Sequence, residues 1–273
     1  MTGPELQTTE DRLLIQTTED SLWETSCREF PWWLVAIVTF LAVMALLIIT
    51  RENYNDAFKF IVPGIRITLY TTFVAFGIAL ILGLFAGLGS ISHNTLIRNI
   101  AITYVGFIRG VPTLVLIFTL AFVIVPAAAD TLGLDNKVIS QNTRAIISLA
   151  IVYGAFLAEV FRAGIESIPS GQMEAARSVG MSYYQSMRHI ILPQAVRNIA
   201  PALGNDFIAM LKDSSLVPLL AVRDITQRAR LHAGSTFQFR ESYLVLTFLY
   251  LSMTITLSLL LRWYEGRLSR NKR

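Results

Sequence analysis

The sequence predicts an all-α membrane protein with about six transmembrane helices. Of its 273 residues, 53% are apolar and only 15% are charged, and the mean hydropathy is +0.54. A soluble domain has about 45–50% apolar and about 25% charged residues, so this composition suits a surface that faces lipid. Six apolar stretches divide the chain, and backbone groups in hydrocarbon satisfy their hydrogen bonds within helices. An ordinary soluble enzyme and a disordered chain are therefore excluded.

Residues 1–31 differ from the rest because they are acidic, with seven Asp and Glu residues against Arg12 and Arg28. The segment lacks a basic start and its apolar run begins late, so we expect a solvated tail and no secretory signal peptide. Cys27 is the single cysteine and cannot form a disulfide within the chain.

The first two apolar stretches are Trp32–Thr50 and Ile67–Leu88, each close to the roughly 20 residues that a spanning helix needs. The second carries Ala75, Ala79, Gly83 and Gly87 at successive i+4 positions. Such a row of small residues lets another helix approach closely, so this helix is expected inside the bundle.

Four further stretches complete the predicted set. The third begins near Arg109 and ends with Thr113–Ala129, and kinks are expected at Pro112 and Pro126. The segment Leu216–Leu231 is not one of these four, because it is too short and too charged to span a membrane. An amphipathic helix that packs against the bundle is expected there. The remaining three predicted spans are Ala145–Ala163, Pro201–Leu211 and Tyr243–Leu261.

Positive charge gives a weak indication of orientation. If the N-terminus is cytoplasmic, the inner segments carry 12 Lys and Arg residues and the outer segments carry 10. This difference decides nothing, although the basic end 262–273 favours a cytoplasmic C-terminus.

A polar segment, 166–193, interrupts the apolar sequence between the fourth and fifth stretches. Pro169 and Gly171 break the preceding helix, and Gly180 suits a left-handed helix stop. Ser182 and Gln185 then have the spacing of a capping box for a second short helix. The sequence predicts a helix–turn–helix elbow that projects from the membrane.

The same segment resembles the EAA loop of the membrane subunits of ABC importers. The resemblance rests on seven positions with the spacing of that motif: Glu174, Ala175, Ala176, Gly180, Ile190, Leu192 and Pro193. It implies that these residues form a cytoplasmic coupling helix, which docks into a groove of a separate ATPase.

Other blocks resemble the permeases of polar amino-acid importers in particular, namely 109–113, 153–165 and 212–216. This resemblance implies a five-helix permease core over 64–265 in a bacterial inner membrane. The segment 32–63 then adds a transmembrane helix and an outer loop. With the elbow inside, the acidic tail 1–31 and the basic tail 266–273 are both expected in the cytoplasm.

The residues also indicate what chemistry to expect elsewhere. No GxxxxGK[ST] loop is present, and His93, His189 and His232 lack metal-ligand spacing. We expect no enzyme activity, cofactor or metal in this chain, with ATP and Mg²⁺ on the partner ATPase. The resemblance implies an ATPase dimer, a solute-binding protein, a second permease subunit and an amino-acid substrate as partners, and no nucleic acid.

Three polar residues at membrane depth are candidates for the substrate path: Glu159, Asn205 and Asp206. Glu159 has Arg162 at i+3, so it either forms a helix-end ion pair or binds a substrate ammonium. Asp206 either lines the path or forms a hydrogen bond between helices. An ion-coupled secondary transporter and a non-transporting scaffold are the alternatives for the whole chain.

Overall fold

The computed structural model describes residues 32–133 and 139–270. The predicted acidic tail and the last three residues of the basic tail lie outside the described residues. The described part is helical and divides between Leu46 and Leu47 into two compact units. Its helices are α1 Trp32–Thr50, α2 Glu52–Ile61, α3 Gly64–Ser90, α4 Thr95–Gly110, α5 Thr113–Thr131, α6 Gln141–Glu166, α7 Ser170–Ser178, α8 Tyr183–Ser186, α9 Leu192–Asp213, α10 Ile225–Thr236 and α11 Phe239–Arg270.

The all-α membrane class is confirmed, and five helical stretches of the described residues are long and apolar enough to cross a membrane. They contain α1, α2 with α3, α5, α6 and α11. The predicted fifth span, Pro201–Leu211, lies within the 22-residue helix α9. That helix has the length to span, but it is not among the five, so a count of six stays a prediction.

The row of small residues on α3 packs against α6, as predicted. Ala75 and Ala79 are fully buried in the main core. A Cβ at Gly83 would lie 2.7 Å from the Cβ of Leu157, and a Cβ at Gly87 would lie 2.7 Å from the carbonyl oxygen of Ala158. The two backbones therefore approach more closely than larger residues would permit.

The third predicted span begins later than expected, at Thr113, because α4 is a separate helix. Asn94 starts α4 by accepting hydrogen bonds from the N–H groups of Leu96 and Ile97 at 2.9 and 3.3 Å. After α4 the backbone is extended at Val111, the conformation that the residue before a proline prefers. At the second predicted kink, a π-helical turn over Leu120–Ile124 precedes Pro126 within α5.

The segment after α9 contains a shorter helix than predicted. Ser214–Leu220 forms a 3₁₀ turn, and Ala221 has a φ of 60°, which breaks the expected helix over Leu216–Leu231. Helix α10 begins after Asp224, whose Oδ1 accepts a hydrogen bond of 2.7 Å from the N–H of Gln227. Burial raises the pKa of the Asp224 carboxyl to about 7.

Asp224→Asn is expected to change how stability depends on pH. An unfolded aspartate titrates at about 3.9, so between that pH and about 7 the folded chain binds more protons at Asp224 than the unfolded chain does. Raising the pH through this window therefore destabilises the wild type, whereas Asn is neutral and caps a helix equally well. Thermal unfolding of the purified protein should show the variant gaining on the wild type from pH 5 to pH 8. A constant difference in melting temperature would contradict this.

Candidate functional site

The elbow is ordered by a helix stop at Gly180, as predicted. Gly180 has a φ of 88°, in the left-handed region that favours glycine. The N–H of Gly180 donates to the carbonyl of Arg177 at 3.0 Å, and the N–H of Met181 donates to that of Ala176 at 3.2 Å. These two bonds form a complete Schellman motif at the end of α7, so the turn direction is fixed by the backbone.

The predicted capping box starts the second arm of the elbow. Gln185 N–H donates to the Ser182 hydroxyl at 3.3 Å, and the Ser182 N–H donates to the Gln185 side-chain oxygen at 2.8 Å. Helix α8 continues through a π-helical turn, Met187–Ile191, directly into α9. The outgoing arm of the elbow is therefore one continuous helical path into the bundle.

A small apolar core anchors the elbow to the bundle. Its buried residues are Ile165, Ile191, Ala195 and Ile199. Met173 and Ile190 pack against this core from the elbow side, and Ala176 is itself buried. The elbow therefore packs directly against the adjoining ends of α6 and α9.

The outer surface of the elbow combines motif positions with exposed apolar side chains. Five of the seven motif residues are exposed: Glu174, Ala175, Gly180, Leu192 and Pro193. Val179 and Tyr184, which are not motif positions, are 77% and 68% exposed beside them. The motif did not include these two residues. The signal that could have found them is an apolar side chain within four residues of the predicted turn glycine. Together they form a surface suited to a protein partner.

Glu159 is held in an ion-pair network. Its carboxylate pairs with Arg162 one turn away and lies 3.7 Å from the Arg109 guanidinium at the end of α4. Arg162 also reaches Glu166 at 2.5 Å. The predicted helix-end ladder is present, and Arg109 extends it to a second helix. The local sequence spacing gave no indication of that contact.

Asn205 and Asp206 are neighbours in the C-terminal half of α9. Asn205 is exposed and Asp206 is half-buried. Within the described residues, Oδ2 of Asp206 is buried without a hydrogen-bond partner. Burying a carboxylate oxygen without a hydrogen-bond donor costs free energy unless a ligand, water or neighbouring chain supplies that donor.

The register of α6 and α9 relates the two acidic candidates. The Tyr153 hydroxyl donates a 2.8 Å hydrogen bond to Asp213 Oδ2, which joins these antiparallel helices at the end of α9 away from the elbow. Glu159 follows Tyr153 by six residues and Asp206 precedes Asp213 by seven. At 1.5 Å rise per residue, both acids lie about 10 Å further along their helices, at similar depth. Asp213 itself serves this helix-to-helix bond.

The described residues contain no group of three or more His, Cys, Asp and Glu side chains that could hold a metal ion. What they contain is a helical membrane bundle with a rigid polar elbow at one end. This combination fits the membrane component of a transport system. The chain belongs to the family of binding-protein-dependent transport system inner membrane components, which matches residues 79–270.

Relatives in that family are similar over most of their length. The probable amino-acid permease protein YxeN of Bacillus subtilis is 36% identical over 219 residues, covering 80% of this chain and 96% of YxeN. The glutamine transport system permease protein GlnP of Escherichia coli is 30% identical over 212 residues, covering 78% of this chain and 94% of GlnP.

Solved structures of ABC transporters are also similar to this chain. A crystal structure of an amino acid ABC transporter with histidines has 37% sequence identity and a TM-score of 0.69, covering 78% of this chain and 95% of that one. The inward-facing MetNI methionine ABC transporter shares 22% identity and a TM-score of 0.60, covering 77% of this chain and 94% of that one, and supports the fold alone.

Proposed function

We propose that this chain is the permease subunit of an ATP-driven importer that carries polar amino acids into the cytoplasm. The observation that carries the proposal is the elbow, whose motif residues lie on both sides of a hydrogen-bonded left-handed turn at Gly180. The similarity to YxeN, GlnP and the amino acid ABC transporter supports the substrate class.

Coupling follows from the way the elbow is built. A partner ATPase docks on the exposed surface around Glu174, Val179 and Tyr184. When two ATPases close on ATP, each pulls its elbow, and the anchoring core around Ile191 and Ile199 passes the displacement to α6 and α9. ATP and Mg²⁺ stay on the ATPase, and this chain contributes motion by contact alone.

The complete transporter needs further chains. Two permease subunits, identical or paired with a similar chain, enclose the path, and an extracytoplasmic solute-binding protein delivers the ligand. In this arrangement 64–265 is the permease core, with the elbow at 166–193, and 32–63 is an added helix and outer loop. A cytoplasmic elbow places both tails, 1–31 and 266–273, in the cytoplasm.

The path residues are assigned by the charges they offer. Asp206 has a carboxylate oxygen that lacks a donor among the described residues, so it suits the ammonium of an amino acid, and exposed Asn205 lies beside it. Glu159, already paired with Arg109 and Arg162, lies at similar depth and changes partners as the substrate passes.

Asp206→Asn is expected to weaken substrate recognition within the membrane. A hydrogen bond to a charged group contributes about 1.5–3 kcal/mol, so the amino-acid concentration that half-stimulates ATP hydrolysis should rise about tenfold or more. The assay is substrate-stimulated ATP hydrolysis by the reconstituted complex. Asp56→Asn, a change of the same charge at an exposed position of α2, is the control. An unchanged response in a normally assembled Asp206→Asn complex would assign Asp206 a structural role.

The function itself is tested by uptake into liposomes that contain the permease, its ATPase and its binding protein. The proposal expects labelled amino acid to accumulate only when ATP is supplied on the side of the membrane on which the ATPase lies. Uptake that proceeds without ATP and follows an ion gradient would indicate a secondary transporter. A complex that binds its partners but never moves substrate would indicate a scaffold. Either outcome would overturn the proposal.

A further inference from the structure

A polar cleft lies between the end of α1, the start of α2 and the start of α11, at the end of α11 away from the elbow. Its volume is about 480 Å³, within the range of small-molecule pockets. It belongs entirely to the unit Leu47–Arg273. The residues around it are Leu47, Arg51, Glu52, Asn53, Tyr54, Arg240 and Glu241.

The depth of this cleft is fixed by two membrane spans. The span of α1 ends at Thr50, and that of α11 begins at Phe239. Arg51 lies one residue beyond the first span, and Arg240 is the second residue of the other, so the cleft opens at the boundary between lipid and water. Leu47 lies one turn inside the apolar helix, at the level of acyl chains.

Two of the four charged side chains of the cleft form an ion pair with each other, and the other two do not. Arg240 pairs with Glu241 at 2.8 Å, and the Glu241 side chain is only 10% exposed. Arg51 and Glu52 are exposed and form no ion pair with any residue that the structure describes. The mouth of the cleft therefore offers one free guanidinium next to one free carboxylate.

This pattern fits a zwitterion with an anionic phosphate and a primary ammonium. A guanidinium matches a phosphate with two parallel hydrogen bonds, and a carboxylate accepts from an ammonium. A phosphoethanolamine headgroup has both groups and enters at this depth. A choline headgroup has no N–H to donate, and a glycerol headgroup carries no cation.

We propose that this cleft binds the headgroup of a phosphatidylethanolamine-type lipid, with the phosphate on Arg51 and the ammonium on Glu52. The bound lipid holds the end of α1 and the start of α2 against the start of α11. The family match covers residues 79–270, so Arg51 and Glu52, which bind the headgroup, lie before it, whereas Arg240 and Glu241 on the other side of the cleft lie within it.

The test is native mass spectrometry of the full-length chain in its complex, purified from an equal mixture of ethanolamine, choline and glycerol phospholipids. The ethanolamine lipid should be retained at least fivefold over either other lipid. Arg51→Gln should reduce the retention of the ethanolamine lipid severalfold. Glu52→Gln should remove the preference over the choline lipid and leave total retention near that of the wild type. Lys59→Gln, at an exposed position of α2 outside the cleft, is the control.

Both variants should fold, because Arg51 and Glu52 are exposed and the Arg51 side chain makes no capping hydrogen bond to α2. Equal retention of the three lipids, or wild-type retention by Arg51→Gln, would overturn the proposal. Soluble phosphoethanolamine at millimolar concentration separates the two sources of the same chemistry. Its binding in the absence of any lipid preference would show a site for free phosphate esters and would likewise overturn the lipid assignment.

Discussion

Gly180→Val is expected to reduce ATP-driven uptake at least tenfold while the chain still inserts and folds. Gly180 has a φ of 88°, and a Cβ there would meet nothing within 4 Å, so the substitution acts through the backbone. The left-handed conformation costs roughly 1–2 kcal/mol for a residue with a Cβ, and more for a β-branched one. The turn should therefore leave the left-handed conformation, and the exposed surface of the elbow would no longer be held in one orientation. Uptake into liposomes with the ATPase and binding protein measures the effect.

A matched control lies in the same elbow. Gly171 is also surrounded by open space, but its φ is not in the left-handed region. Gly171→Val adds the same side chain without the backbone strain, and it should keep most of the uptake. Wild-type transport by Gly180→Val, or an equal loss in both variants, would refute the role of the left-handed turn in coupling.

Gly87→Val is expected to destabilise the whole permease. A Cβ at this position would lie 2.7 Å from the Ala158 carbonyl oxygen and 2.9 Å from the Phe161 Cβ. Neither atom is the end of a flexible side chain, so α3 and α6 must separate. Overpacking of this kind costs about 1–3 kcal/mol, and the lost contact is the one between the two most closely packed helices. Thermal unfolding in detergent should show a clearly lower midpoint and less monodisperse protein.

Gly77→Val is the control for that change, because Gly77 lies on the same helix and a Cβ there would meet nothing within 4 Å. The two variants share the helix-propensity cost of a β-branched residue, so their difference reports packing. Equal melting temperatures for the two variants would contradict the close approach of α3 to α6.

The elbow and the small-residue row were predictable because their signals are local. A left-handed stop at Gly180 needs only a glycine after a short helix, and the pair Ser182 and Gln185 is a capping box by spacing alone. The row from Ala75 to Gly87 follows the period of one helix. In each case the residues that form the feature are close in sequence.

The features that were missed depend on contacts between distant segments. Arg109 reaches Glu159 across 50 positions of sequence, and no spacing rule relates them. Helix α4 was not among the predicted helices, although Ala101, Val105 and Ile108 are buried on one face of it. The segment after α9 was assigned one helix because its break is a non-glycine residue, Ala221, in the left-handed region. Residue type gave no sign of that break.

The central claim, that energy enters through the elbow, is tested most directly by photo-cross-linking. A photoreactive benzoylphenylalanine at Val179, which is 77% exposed beside the turn, is compared with the same residue at Leu231, which is 45% exposed on α10. In the assembled complex, Val179 is expected to cross-link to the ATPase, with a yield that changes on addition of ATP, and Leu231 is expected not to. Cross-linking to the ATPase from Leu231 and not from Val179 would contradict the claim.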